Sequence, residues 1–151
     1  MLWLALHWMA RLTLGGLFLY AGYIKLANPF LFEMAVDGYQ LLPPTGVIVV
    51  ARTLPWLEIV LGMLLLKGWQ LPYMAGFTTL LLGSFLVIMA LTYARGIEAN
   101  CGCFGFNEPI SPQTLARDTG LFLLAAFLAV YSWRTRRGRS LPQSNTSESA
   151  P

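Results

Sequence analysis

The two cysteines of this sequence, Cys101 and Cys103, are separated by one glycine, Gly102. Cysteines this close form only a small, strained disulfide ring. The glycine between them tolerates the unusual backbone angles that such a ring requires. A strained disulfide is easily reduced and is a good oxidant, which suits exchange with a partner better than permanent cross-linking. The spacing therefore favours a redox pair, and we take Cys101 and Cys103 as the candidate catalytic residues.

Two other interpretations of the cysteines stay open. Thiolates also bind soft metals such as Cu(I) or Zn(II). Two sulfurs are a thin ligand set, however, because the only histidine, His7, is remote and no second cysteine pair completes a tetrahedral site. The other interpretation is structural, with two small residues buried beneath a loop. We assign no metal-ligating residues.

The composition predicts an integral membrane protein. Hydrophobic residues make up 56% of the 151 residues and charged residues 11%, whereas soluble domains carry about 25% charged residues. The mean hydropathy is +0.60. Four segments have roughly the 20 apolar residues that a spanning helix needs. We therefore predict an all-α, multi-pass four-helix bundle in the lipid bilayer, with one domain over 1–133 and spans at about 2–26, 46–66, 71–93 and 115–133.

Two longer loops and a tail complete the predicted organisation. The loop over about 27–45 contains an apolar stretch, Phe30–Ala35, that predicts a short interfacial helix. The loop over about 95–114 contains the cysteines. Residues 134–151 are basic at first and then rich in serine and other polar residues, so we expect a disordered tail.

Basic residues near the helix ends predict the orientation. Four arginines follow the last apolar segment and favour a cytoplasmic C-terminus by the positive-inside rule: Arg134, Arg136, Arg137 and Arg139. Four spans then place the N-terminus in the cytoplasm and both long loops outside, facing the periplasm from a bacterial inner membrane. Disulfides persist in that compartment. Because the arginine cluster is a topology signal, we expect no nucleic-acid partner.

Charged residues inside a span are costly and face a partner. Arg11 and Glu58 lie at similar distances from the predicted inner ends of the first two spans, at a depth of roughly 12–14 Å. Their opposite charges predict a buried ion pair between these helices. A structural clamp and a proton or quinone site are the two roles considered for this pair.

Several cations lie toward the predicted outer ends of the spans: Lys25, Arg52, Arg95 and Arg117. Arg52 and Arg117 are candidates to face the cysteine loop, where a cation would favour thiolate over thiol. The alternative is ordinary snorkelling of long side chains to the interface.

The cysteine count limits any mechanism. No second pair exists to carry electrons across the bilayer, so a thiol relay must continue through another protein or a quinone. We expect no covalently bound cofactor, and a quinone remains a candidate. Whether the chain is itself an enzyme, as a thiol–disulfide oxidoreductase or its accessory subunit, is left open, as is homo-oligomer formation.

Taken together, these motifs resemble the DoxX-like superfamily and, within it, the methylamine-utilisation MauE family. The residues that carry the resemblance are Arg11, Gly16, Phe18, Gly22, Lys25, Leu26 and Pro29 around the first helix, Pro55, Glu58, Gly62 and Leu66 in the second, the run Cys101-Gly102-Cys103-Phe104-Gly105, and Arg117-Asp118 before the last. The resemblance implies a four-helix membrane bundle that supports maturation of a disulfide-rich periplasmic dehydrogenase beside a thioredoxin-like partner.

The first functional hypothesis is therefore a membrane protein for extracytoplasmic thiol–disulfide redox chemistry, with a periplasmic thioredoxin-like protein as partner. Three alternatives are kept: a non-enzymatic membrane assembly factor, a quinone-linked DoxX-like oxidoreductase subunit, and a soft-metal binding protein.

Overall fold

The computed structural model describes residues 2–102 and 108–139. Cys103 and the predicted disordered part of the tail, from residue 140 onward, lie outside the described residues. The described part contains five α-helices: α1 (Leu2–Ala27), α2 (Pro29–Gly38), α3 (Pro44–Lys67), α4 (Leu71–Ala94) and α5 (Pro112–Arg139). The prediction of an all-helical protein is confirmed, and α2 is the short helix predicted in the first loop.

Proline and glycine set the helix boundaries. Pro29, Pro44 and Pro112 each stand at the first position of a helix, where the missing N–H costs no hydrogen bond. Gly68 ends α3 with φ +74, and its N–H donates to the carbonyl of Leu64 at 2.9 Å. This left-handed cap is a common way to end a helix.

Within the described residues, three helices are long and apolar enough to cross a membrane: α3, α4 and the part of α5 over Pro112–Arg137. The sequence predicts four spans, and α1, which contains His7, Arg11 and Lys25, is not among these three. Helix α5 extends beyond the predicted span of 115–133 and includes the basic residues up to Arg139, since arginine is a good helix former.

The helices pack in pairs, with α1 against α3 and α4 against α5, while smaller contacts join α1 to α5 and α3 to α4. The core cluster is Ala10, Leu14, Phe18, Leu61, Leu65, Ala75, Leu82, Ala125 and Leu128. Helix α2 lies on α3.

Glycines allow α1 and α3 to approach closely. A Cβ added at Gly62 would lie 2.9 Å from the carbonyl oxygen of Gly15, and one added at Gly22 would lie 2.8 Å from that of Pro55. Small residues are the usual means of bringing membrane helices together. The interface between α1 and α3 is therefore fixed by backbone contact, which leaves little freedom in the register of the two helices.

This close approach predicts opposite effects for two glycine substitutions in detergent-solubilised protein. Gly62→Ala should lower the thermal unfolding temperature, because its Cβ would press on the backbone of α1. Gly16→Ala, on the same pair of helices but with no atom within 4 Å of its Cβ, should be stabilising by about 0.5–1 kcal/mol through helix propensity alone. Equal shifts of the same sign would contradict the packing described.

Candidate functional site around Cys101

The segment carrying Cys101 leaves α4 and is closed by backbone hydrogen bonds. The N–H of Cys101 donates to the carbonyl of Glu108 at 2.7 Å, and the N–H of Ile110 donates to the carbonyl of Ala99 at 3.1 Å. An isolated antiparallel bridge also joins Asn100 and Pro109. Residues 99–101 and 108–110, on either side of the loop, are thus paired through their backbones.

Helix α2 holds the same loop from the other side. The hydroxyl of Tyr39, directly after α2, donates to the carbonyl of Cys101 at 2.6 Å. Gly102 has φ +64, and a Cβ there would lie 3.2 Å from the Cβ of Ala35. A glycine is needed at this position both for the left-handed backbone and for the close approach of α2.

The sulfur of Cys101 has polar side chains and one methionine sulfur as neighbours, although the residue is only 2% exposed. Three atoms stand 3.8 Å from its Sγ: Sδ of Met89 on α4, and Oδ2 of Asp118 and Nη2 of Arg117 on α5. The thiol donates toward Asp118 and accepts from Arg117. A carboxylate is placed to take the thiol proton, and a guanidinium is placed to stabilise the thiolate that remains.

Arg117 is oriented by carboxylates on two sides. Its Nη1 donates to Oε2 of Glu108 at 2.9 Å, and its Nε donates to Oδ1 of Asp118 at 3.2 Å. Glu108 comes from the loop that also bonds the Cys101 backbone, so Arg117 joins the loop to α5. Because Asp118 is only 6% exposed while the Arg117 side chain is 37% exposed, the network extends from the buried sulfur to the surface.

The two predicted thiolate-stabilising arginines have different outcomes. Arg117 lies beside Cys101 as expected. Arg52 does not: it follows the buried Ala51 and lies on the exposed face of α3, because consecutive residues differ by about 100° around a helix. The prediction that Arg52 faces the cysteine loop is not supported by its position, and Cys103 is outside the described residues.

The predicted ion pair between Arg11 and Glu58 is wrong. Glu58 pairs instead with Lys25, whose Nζ lies 2.5 Å from Oε1 of Glu58, and both side chains are buried. Side chains on a helix tilt toward its N-terminus. Since α1 and α3 are antiparallel, Lys25 and Glu58 lean toward each other, whereas Arg11 leans away from Glu58.

Arg11 instead caps the end of α3. Its Nε and Nη2 donate to the carbonyls of Leu65 and Leu66 at 3.1 and 2.9 Å. Its guanidinium lies 4.5 Å from the ring centre of Trp8. A cation at the carboxyl end of a helix satisfies orphan carbonyls and complements the helix dipole. Arg11 is therefore a structural residue of the α1–α3 pair.

A mainly apolar cavity of about 200 Å³ lies next to Cys101 and is called the cysteine-side cavity. Its wall includes Lys25, Phe32, Tyr39, Leu54, Phe85 and Cys101. The ammonium of Lys25 lies 5.0 Å from the ring centre of Phe32 and 5.9 Å from that of Phe85. The cavity therefore brings one buried hydrogen-bond donor and one thiol to an otherwise apolar space. In the part of the chain described, no group of three His, Cys, Asp or Glu side chains could hold a metal ion.

Sequence reasoning missed Asp118, Tyr39 and Met89 as neighbours of Cys101. Asp118 carried a detectable signal, because a carboxylate in the first turns of an apolar helix requires a partner. Nothing in the sequence marks Tyr39 and Met89 as neighbours of Cys101, since their positions depend on how α2 and α4 pack against the loop.

Comparison with known proteins decides the family. The family model described as methylamine utilisation protein MauE matches residues 3–131. The chain belongs to the MauE family. A curated relative from Paracoccus versutus, methylamine utilization protein MauE, is 32% identical over 123 residues, which cover 80% of this chain and 66% of the relative. No solved structure matches the chain. The wider DoxX-like resemblance stays a prediction from the helix motifs of this MauE-family chain.

The new pairing predicts a specific pattern of double-mutant coupling. Lys25→Met and Glu58→Leu should each cost about 3–5 kcal/mol of unfolding free energy, because each strands a buried charge. The combined variant should recover most of that loss. Arg11→Met combined with Glu58→Leu should show no recovery. Denaturant titration in micelles measures these values, and coupling between Arg11 and Glu58 in place of Lys25 and Glu58 would refute the assignment.

Proposed function

We propose that this MauE-family chain is a membrane accessory protein of methylamine utilisation that handles thiol–disulfide exchange outside the cytoplasm. In this proposal α1 is the fourth span, the long helices form a four-helix bundle in a bacterial inner membrane, and both termini are cytoplasmic. The distribution of charge supports that orientation. Lys67 and the arginines near the end of α5 lie at one end of the helices, and the cysteine loop lies at the other.

The observation that carries the proposal is the position of the Cys101 sulfur between a proton acceptor and a cation. Asp118 and Arg117 both reach Sγ at 3.8 Å. A buried cysteine among apolar side chains alone would be inert, whereas a thiol with a carboxylate and a guanidinium beside it is placed to ionise on demand. Thiolate formation is the requirement for disulfide exchange.

The burial of Cys101 suggests different roles for the two cysteines. Cys101 is too enclosed to meet a soluble protein, so we assign the first exchange to Cys103. The Cys103 thiolate attacks a disulfide of a thioredoxin-like partner, which breaks that disulfide and leaves one partner sulfur as a thiolate.

Cys101 then gives its proton to Asp118 and attacks the Cys103 sulfur. The mixed disulfide breaks, the Cys101–Cys103 disulfide forms, and the partner leaves as a dithiol. The pair loses the two electrons that the partner gains, and the reverse sequence oxidises the partner.

This order of events predicts which variant traps the partner. Cys101→Ala should accumulate a mixed disulfide through Cys103, because the resolving thiol is gone. Cys103→Ala should trap little, since Cys101 is buried. Non-reducing electrophoresis after mixing with a thioredoxin-like protein measures the adduct.

The control is the double variant Cys101→Ser with Cys103→Ser, which should be folded and form no adduct. A folded, abundant double variant that still supports maturation of the methylamine-oxidising system would favour a non-enzymatic assembly factor over a redox role. An adduct in Cys103→Ala but not in Cys101→Ala would reverse the assigned roles.

A quinone-linked role is a second candidate, and the cysteine-side cavity favours it. A quinone head group is flat and apolar and carries carbonyl oxygens, and the cavity offers apolar walls with the Lys25 ammonium as a donor. Oxidation of the two thiols to a disulfide would release two electrons and two protons, which together convert the quinone to a quinol. Such a step would regenerate the disulfide without a second cysteine pair.

Filling the cavity tests this candidate. Leu54→Trp should slow oxidation of the dithiol by a quinone in proteoliposomes by about tenfold or more, because a ligand pocket must enclose most of its ligand. Val49→Trp is the matched control, since Val49 is on the same helix and is exposed away from the cavity. Equal oxidation rates in both variants would show that the cysteine-side cavity does not bind the quinone.

A further inference from the structure

Glu108 is connected to Cys101 in two ways, one through its backbone and one through its side chain. Its carbonyl accepts the N–H of Cys101 at 2.7 Å. Its side-chain Oε2 accepts from Nη1 of Arg117 at 2.9 Å, and Nη2 of the same guanidinium lies 3.8 Å from the Cys101 sulfur. The proposed exchange reaction assigns roles to Arg117 and Asp118 but none to Glu108.

The guanidinium of Arg117 is a rigid, planar group whose nitrogens cannot be aimed independently of one another. Its Nε donates to Oδ1 of Asp118 at 3.2 Å, while Nη1 is directed at Glu108 and Nη2 at the Cys101 sulfur. Fixing the first two nitrogens therefore fixes the direction of the third. Asp118 is the next residue on α5, so the bond to Glu108 is the one that ties the guanidinium to the cysteine loop.

The exposure of Arg117 explains why this second anchor matters. Its side chain is 37% exposed, whereas Cys101 is 2% exposed. A long arginine side chain gains conformational freedom when it turns into solvent, and in doing so it would leave the buried sulfur. The bond to Glu108 opposes that movement.

Glu108 has two opposing effects on ionisation of the Cys101 thiol. Its negative charge by itself disfavours another negative charge nearby, whereas holding Arg117 in place favours the thiolate. The other charged or titratable groups around Cys101 come from α5, the end of α2 and α1, and a substitution of Glu108 removes none of them: Asp118, Tyr39 and Lys25. The two effects therefore predict opposite shifts in thiolate formation when the Glu108 side chain is removed.

We propose that Glu108 is a positioning residue that holds the Arg117 guanidinium against Cys101 and thereby favours the thiolate. This inference rests on the proposed thiol–disulfide function, in which the Cys101 thiolate attacks the Cys103 sulfur and the partner sulfur leaves. Positioning outweighs direct repulsion because the guanidinium reaches the sulfur itself, while the Glu108 side chain is 47% exposed and its charge is screened by water and salt.

The pH midpoint of thiolate formation tests the assignment. It is measured by ultraviolet absorbance of the full chain in micelles, in a Cys103→Ser background that leaves Cys101 as the only thiol, after subtraction of the variant without cysteines. Glu108→Ala should raise the midpoint by about one pH unit, the effect of withdrawing a neighbouring cation. Glu108→Gln keeps an acceptor for Arg117 and should stay close to the background chain. Neither variant should change the unfolding temperature much, since an exposed ion pair contributes little to stability.

Glu98→Ala is the matched control. It removes the same charge from an exposed position on the other side of Cys101 in the same loop, and it leaves the bonds of Arg117 to Glu108 and Asp118 intact. Its midpoint should move little, because an exposed charge is screened. An unchanged or lowered midpoint in Glu108→Ala, or an equal rise in Glu98→Ala or Glu108→Gln, would overturn the proposal.

A second measurement separates this inference from the proposed function. In the chain with both cysteines, Glu108→Ala should slow resolution of the mixed disulfide with a thioredoxin-like protein by about threefold at a pH below the midpoint. An approximately tenfold loss of thiolate is partly offset there, because a thiolate of higher pKa is the better nucleophile. If no variant forms a mixed disulfide, the proposed function fails, while a raised midpoint in Glu108→Ala still supports the role of Glu108.

Discussion

A buried ammonium and a buried carboxylate fix how this molecule is assembled. Lys25 and Glu58 are almost fully enclosed, so neither charge is tolerated unless α1 and α3 bring them together. Backbone contact at the glycines of the same interface leaves little alternative register. The chain turns into α2 only four residues after Lys25, so this pair also determines where α2 lies.

The position of α2 in turn shapes the sulfur site. Tyr39 and Ala35 hold the backbone of Cys101 and Gly102 from the α2 side, while Arg117, Asp118 and Met89 surround the sulfur from α4 and α5. Cys101 and Gly102 are thus contacted from α2, α4 and α5. These contacts hold the Cys101 thiol in a defined electrostatic setting.

The sequence was sufficient for features that depend on local chemistry. Apolar length predicted the four long helices, and the apolar stretch in the first loop predicted α2. Side-chain pairings between helices were harder to predict from the sequence. Counting depth from helix ends suggested Arg11 as the partner of Glu58, but depth ignores the tilt of side chains and the true register. The prediction that Arg52 faces the cysteine loop failed for a related reason, because Arg52 lies on the exposed face of α3.

A redox titration of the two thiols in native membranes would show whether Cys101 and Cys103 form a reversible redox pair. Membranes poised with defined thiol–disulfide buffers are quenched with an alkylating reagent that adds mass to each free thiol. We expect one two-electron transition at a potential within the range of disulfide oxidoreductases, roughly −270 to −120 mV. Cysteines that stay fully reduced, or fully oxidised, across that whole range would contradict it.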